Sequence, residues 1–332
     1  MIRFSSIGDI VLTSALVRCV KQHYRSAEIH FLTKSQFEPV LRGNPYITRV
    51  WGYDHNFGDL IPQLKSQGFD NIIDLHKNYR SLFVSRQLGL KTTTFSKLNI
   101  RKWLMVRFKL DFLPDVHIVD RYFRAVESMG VKNDGKGLDY FIPEEDEVDL
   151  ESLPVAHHGG YIAVVIGGKH QTKIFPVEKV AGVCKQLALP VILLGGKEDH
   201  QRGEEIVSQT GAWVFNSCGL FNINQSASII RQSRAVLTND TGLMHVAAAF
   251  KKPVVSVWGN TIPAFGMYPY LPEALQSSSL IAEVKGLSCR PCSKLGFPEC
   301  PKKHFKCMND IDTVPVVDFL KQHGSQITNL KP

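Results

Sequence analysis

The chain has 332 residues, 44% hydrophobic and 21% charged, with 39 Lys and Arg against 31 Asp and Glu. That length exceeds what one hydrophobic core usually serves and predicts two domains. No apolar run approaches the roughly 20 residues that span a bilayer, and the start MIRFSSIGDIVL offers one Arg, no long apolar core and no cleavage site, so neither a membrane span nor a signal peptide is expected.

A cytoplasmic location is therefore expected, and the seven cysteines read as thiols or metal ligands rather than a disulfide framework. The net charge of +8 suits an acidic partner: nucleotide, nucleic acid, phosphorylated glycan or anionic membrane surface. Charge alone does not choose among these.

In chain order, Ile2–Phe4 is a short apolar start and Asp9–Val20 carries apolar residues at helical spacing. Strands are predicted at Glu28–Thr33, Arg49–Gly52 and Phe69–Leu75, and helices near Asp59–Gln67, Arg80–Leu88 and Asp120–Met129. Around Pro143–Gly160 the texture turns acidic and poor in aromatics, and this stretch reads as an interdomain linker. A second alternating set follows: Tyr161–Ile166, a helix over Val177–Leu187, Val191–Leu194, a helix over Glu204–Gln209, Ala235–Thr238, a helix over Leu243–Phe250, and Pro253–Trp258. The expectation is α/β with two doubly wound halves: residues 1–150, residues 160–310, and a terminal helix and tail at 311–332.

The most informative segment is Thr238–His245 (TNDTGLMH). A strand ends at Asn239, and Asp240-Thr241-Gly242 turns the chain into a helix whose free N–H groups and dipole favour a phosphate. Gly242 would leave room for that phosphate, and Thr241 and His245, four apart, share a face. Asp240 is equally readable as a plain N-cap. The loop Gly259-Asn260-Thr261 follows the next strand, either as a ligand contact or as a βα connection. Ser5-Ser6-Ile7-Gly8-Asp9 is the first half's counterpart, with Asp9 either a dipole-stabilised carboxylate or a general base. No GxGxxG follows the first strand and no GxxxxGK[ST] occurs.

Together FSSIGDIVLTSAL, DLHKNYRS and NDTGLMHVAAAFKKPVVSVWGNTIP resemble the ADP-heptose:lipopolysaccharide heptosyltransferase family, glycosyltransferase family 9, over nearly the whole chain. The resemblance implies a GT-B fold: two Rossmann-like domains facing across a cleft, with the acceptor in the N-terminal half and the ADP-sugar in the C-terminal half. It implies inverting transfer of a heptose from ADP-heptose to a lipid A-linked lipopolysaccharide core, with no metal or other cofactor required. Asp9 matches the catalytic base. Asp240, Thr241, Gly242 and His245 match the donor motif, Lys173 falls near the donor phosphates, and Glu198 falls near the nucleoside. After the strand FDNIIDL, His76, Lys77 and Arg80 are the acceptor-side candidates.

Other readings stay open: a GT-B transferase of another nucleotide-sugar in surface glycan synthesis, a nucleotide-sugar epimerase, or a non-catalytic nucleotide binder. No nucleic-acid module is present, so no nucleic-acid partner is expected. Cys289, Cys292, Cys300 and Cys307 lie within nineteen residues, a spacing compatible with structural zinc, with free thiols in a packed loop, or with oxidation-prone pairs. Lys97–Lys109 (KLNIRKWLMVRFK) mixes cations with Ile100, Trp103 and Phe108. It reads equally as a contact with the inner-membrane surface or a phosphorylated acceptor, and as an ordinary amphipathic helix. The DxD at Asp310–Asp312 looks like the start of the terminal helix.

Overall fold

The structure is a computed structural model and describes residues 1–325; the end of the expected tail, 326–332, lies outside the described residues. The N-terminal half contains α1 (Ile7–Val11), α2 (Ser14–His23), β1 (His30–Lys34), β2 (Arg49–Tyr53), α3 (Leu60–Lys65), β3 (Asn71–Asp74), α4 (Tyr79–Leu88), β4 (Lys91–Thr94), α5 (Asn99–Phe108) and α6 (Ile118–Phe123). Pairs β1–β2 and β3–β4 are parallel. Ile2 joins them by parallel bridges to Leu32 and Asp74, so the first residues lie centrally between β1 and β3.

The C-terminal half contains β5 (Ile162–Val165), α7 (Val177–Leu187), β6 (Val191–Leu194), α8 (His200–Thr210), β7 (Val214–Asn216), α9 (Ile223–Gln232), β8 (Ala235–Asn239), α10 (Gly242–Ala249), β9 (Val254–Trp258), β10 (Ser279–Glu283), α11 (Lys306–Asn309) and α12 (Val314–Gly324). Its six strands are all parallel, in the order β10-β9-β8-β5-β6-β7. The progression reverses between β5 and β8, and a doubly wound sheet opens a ligand crevice at the carboxyl ends of such a pair. The N-terminal sheet reverses likewise between its first residues and β3, so each half presents one switch point.

Period-two packing divides the core. Ile162 and Val164 of β5 face a cluster with α7 and α12, whereas Ala163 and Val165 face α9 and α10. The second cluster continues without a break into α1, α2, β1 and α6. The two halves are therefore joined by buried apolar surface along the α9–α10 side.

Most predicted strands and helices recur to within a few residues. The linker stretch differs: it forms short 3₁₀ turns at Glu144–Asp146, Leu150–Ser152 and Val155–His157. Two of its acids are bound to α9, with Asp146 accepting from Asn222 and Asn224 and Glu147 from Ser228 and Arg231. The helix expected over Asp120–Met129 ends at Phe123, and a 3₁₀ turn at Glu127–Met129 replaces its second half. Of the DxD, Asp312 accepts from the Val314 N–H at 2.9 Å and so begins α12.

Candidate active site

Both switch points open on one cleft. In the N-terminal half, Asp9 turns back in the short helix α1 and accepts from the Ser6 N–H at 3.1 Å and the Ser6 hydroxyl at 2.9 Å. Its other oxygen pairs with Arg3 at 2.5 Å. Arg3 is buried and also donates to the carbonyls of Ser5 and Leu75, so it ties the ends of both central strands to the Asp9 turn. Burial pushes the Asp9 carboxyl up, but the Arg3 charge and the Ser6 bonds outweigh it and hold the group below its ordinary value. Asp9 is a carboxylate at neutral pH.

In the C-terminal half, Asp240 follows β8 and accepts from Lys173 Nζ at 2.6 Å and the Thr261 hydroxyl at 2.8 Å. Lys173 comes from the turn after β5 and Thr261 from the loop after β9, so one carboxylate cross-links three strand ends. Asn239 donates to the Gly167 carbonyl at 3.1 Å and accepts from the Phe175 N–H at 3.0 Å, which pins the loop after β5. Thr241 caps α10 in extended conformation (φ −138°, ψ 176°). His245, one turn on, is buried, and its Nδ1 has no partner. Burial pushes it down to about 4, although Asp240 and Asp9 act the other way, so it is neutral at pH 7.

The two turns touch. A Cβ on Gly8 would stand 2.6 Å from His245 Cδ2, and one on Gly242 would stand 2.8 Å from Ile7 Cγ2. Each glycine thus admits the other domain's helix. On its Cβ side Gly242 is filled by Ile7, because α1 and α10 pack against each other there.

The remaining expected residues are placed unequally. Glu198 is exposed in the turn after β6, on the rim of the crevice. His76 packs edge-on to Phe4 at 5.2 Å, and its Nδ1 has no partner. Burial, then Arg3, pushes it down to about 3. Arg80 lies over the Tyr79 ring at 5.1 Å and adds to the positive field on His76. Lys77 instead donates to the Phe95 carbonyl at 2.9 Å, so its ammonium is engaged away from Asp9.

Among the cysteines, Cys289 Sγ lies 3.8 Å from His304 Nε2, and Cys292 donates to the Cys289 carbonyl. Burial, with neighbouring thiols adding to it, pushes Cys292 and Cys307 up to about 11. Among the described residues no group of three or more His, Cys, Asp or Glu is placed to hold a metal ion. Cys307 is buried in the core against α12 and Cys292 is bonded to backbone, while the charges of Cys289, Cys292 and Cys300 all act on Cys307, so the four thiols lie in one neighbourhood.

Residue patterns alone missed Arg3 and Asn239, although a charged residue inside the apolar start IRF was a usable signal. Thr261 lay in a loop legible only as one of two alternatives.

Residues 58–294 match the model of glycosyltransferase family 9 (heptosyltransferase). The chain is 23% identical over 286 residues to lipopolysaccharide heptosyltransferase 1 of Campylobacter coli, a span covering 79% of this chain and 83% of that relative. Its fold is similar to that of the E. coli ADP-heptose lipopolysaccharide heptosyltransferase II, with a TM-score of 0.74 at 21% identity over 98% of both chains. It is also similar to that of E. coli heptosyltransferase WaaC with ADP-2-deoxy-2-fluoro heptose, with a TM-score of 0.66 at 17% identity over 98% of both chains. Those likenesses establish the architecture as GT-B. Because the family match spans most of the chain and embraces the crevice around Lys173 and Asp240, the protein belongs to glycosyltransferase family 9 and is a glycosyltransferase.

Proposed function

We propose that the protein transfers a heptose, with inversion, from ADP-heptose to an anionic lipopolysaccharide-core acceptor, with Asp9 as general base. The observation that carries this reading is the contact of the two switch-point turns. It sets an ionised carboxylate of one domain against a helix N-terminus of the other. A donor held on the C-terminal crevice would present its anomeric carbon to an acceptor hydroxyl beside Asp9. Holding both reactants in that geometry supplies much of the rate.

As the hydroxyl attacks, its proton passes to Asp9 and the bond to the diphosphate breaks. Charge developing on the leaving ADP meets the free N–H groups opening α10 and the ammonium of Lys173. Asp240, bound to Lys173 and Thr261, acts as a positioning residue for that ammonium. In this reading Glu198 on the rim meets the nucleoside, and His76 and Arg80 meet the acceptor. The cationic and N–H groups stabilise the departing diphosphate in the same reading, and no metal is invoked.

No helix among the described residues is long and apolar enough to cross a membrane. None of α5 is buried, Ile100 is 76% exposed and Trp103 53% exposed, and Arg101, Arg107 and Lys109 flank them. Such a segment suits peripheral contact with an anionic lipid surface carrying the acceptor, on the cytoplasmic face of the inner membrane.

The test is Asp9→Asn assayed with ADP-heptose and a deacylated core acceptor. Turnover is expected to fall by about 10² to 10⁴, with ADP affinity by calorimetry unchanged. NMR of the wild-type product should show the inverted anomer, and transfer should persist in excess chelator. Full activity in Asp9→Asn would overturn the assignment of the base, and loss of transfer in chelator would overturn metal independence.

A further inference from the structure

We infer that Arg121 and Lys102 together form an anion subsite of the cleft, taking a phosphate or carboxylate group carried by one of the two substrates. Arg121 lies on α6 with only 2% of its surface exposed, and its Nη2 donates to the Phe265 carbonyl at 3.2 Å. Its Nε and Nη1 have no partner among the described residues. A buried guanidinium normally meets a carboxylate, because leaving it unpaired costs the desolvation of a full charge. The adjacent acid, Asp120, is taken by Asn133 and Tyr270 at 3.1 and 2.7 Å. The next hydroxyl along the helix, Tyr122, is also buried without a partner.

Lys102 reaches the same place from α5, its Nζ 5.3 Å from the centre of the Phe265 ring. Phe265 belongs to the loop after β9, so both cations from the N-terminal half meet one element of the C-terminal half. Burial and then the Arg121 charge push the Lys102 ammonium down to about 8, while Asp9 and Asp240, one from each crevice, pull it up. Two like charges held near one another, the buried one with donors unspent, form a site whose missing component is negative. The planar fork of Arg121 suits a two-oxygen acid group, and Lys102 adds a point charge on a longer stem.

The donor diphosphate and an acidic group on the acceptor have this same chemistry, and the inference rests on the transfer reading only for that choice. Arg121→Met and Lys102→Met are compared with the wild-type protein, using calorimetry with ADP and thermal unfolding with inorganic phosphate, alone and over saturating ADP. If the diphosphate occupies the subsite, ADP affinity falls at least about tenfold in both variants, and phosphate adds no protection once ADP is bound. If an acceptor group occupies it, ADP affinity holds, and millimolar phosphate raises the unfolding temperature of the ADP-saturated wild type but of neither variant. Arg121→Met should unfold no lower than the wild type, because it removes an uncompensated buried charge. Unaltered responses to both probes in Lys102→Met would overturn the subsite. So would a lowered unfolding temperature in Arg121→Met with the anion response retained, which would mark Arg121 as a strut. Neither readout involves turnover, so failure of Asp9→Asn to slow transfer leaves this inference standing.

Discussion

The two crevices share a topology and use their polar groups in opposite ways. The C-terminal one is cross-linked before any ligand arrives: Asn239 pins the loop after β5, and Asp240 binds Lys173 and Thr261. Arg290 adds an ion pair to Glu283 at 2.7 Å and donates to the Thr261 carbonyl at 2.9 Å. The N-terminal one ties down Asp9 but leaves His76 Nδ1, two nitrogens of Arg121 and the Tyr122 hydroxyl without partners among the described residues. A preorganised pocket loses little on binding a small, invariant ligand, whereas buried unspent donors gain most when a polar partner fills them. The contrast fits a nucleotide on one side and a polar acceptor on the other. Among the described residues His245 and Asn260 are unpartnered in the C-terminal crevice, and His245 touches the other domain at Gly8.

The contrast can be broken at its strongest link. Asp240→Asn removes the charge that holds Lys173 and Thr261, and should weaken ADP binding by about tenfold to a hundredfold, the cost of losing one or two charge-assisted hydrogen bonds. Calorimetry on the folded variant measures it; unchanged affinity would mean that the cross-link does not preorganise the pocket. A variant at the seam sharpens the comparison. Gly8→Ala places a methyl group 2.6 Å from His245 Cδ2, and overpacking of this kind costs about 1–3 kcal/mol. Urea unfolding should show that loss, and transfer should slow more than ADP binding, because the turns are forced apart while the C-terminal crevice stays intact.

The smallest expected effect is in pH. His245 and His76 stand at about 4 and about 3, both below the ordinary 6.5. As pH falls below about 6.5 the unfolded chain takes up these protons before the folded one, so stability present above that value declines down through about 4. Denaturant midpoints at pH 7 and pH 5 should show the decline, and His245→Gln should flatten part of it. A slope unaltered by that variant would remove His245 from the buried neutral set.

Alternation of apolar segments made the α/β class legible, because parallel strands covered on both faces read as apolar runs at β5, β6, β8 and β9. The strands that left little trace were β4, a polar KTTT edge, β7, three residues long, and β10, a half-exposed edge. In the site, Asp9, Lys173 and the TNDTG turn were visible because strand-to-helix turns announce themselves locally and because their order resembled a family. Arg121 was not visible: nothing in IVDRYF distinguishes a solvated arginine from a buried one. The cysteine spacing was visible, and the fold gathers the four thiols near one another.

By itself the sequence determined the two-domain α/β build and the turns that carry Asp9 and Asp240, since period, caps and turn residues are properties of neighbouring positions. Only the tertiary structure decided that those turns abut through Gly8 and Gly242, that Lys173 is bound to Asp240, and that Arg121 and Lys102 meet at Phe265. Those facts depend on pairs of residues far apart in the chain. Burial and charge, which fix the chemistry of each side chain, exist only once the two sheets have closed on one another.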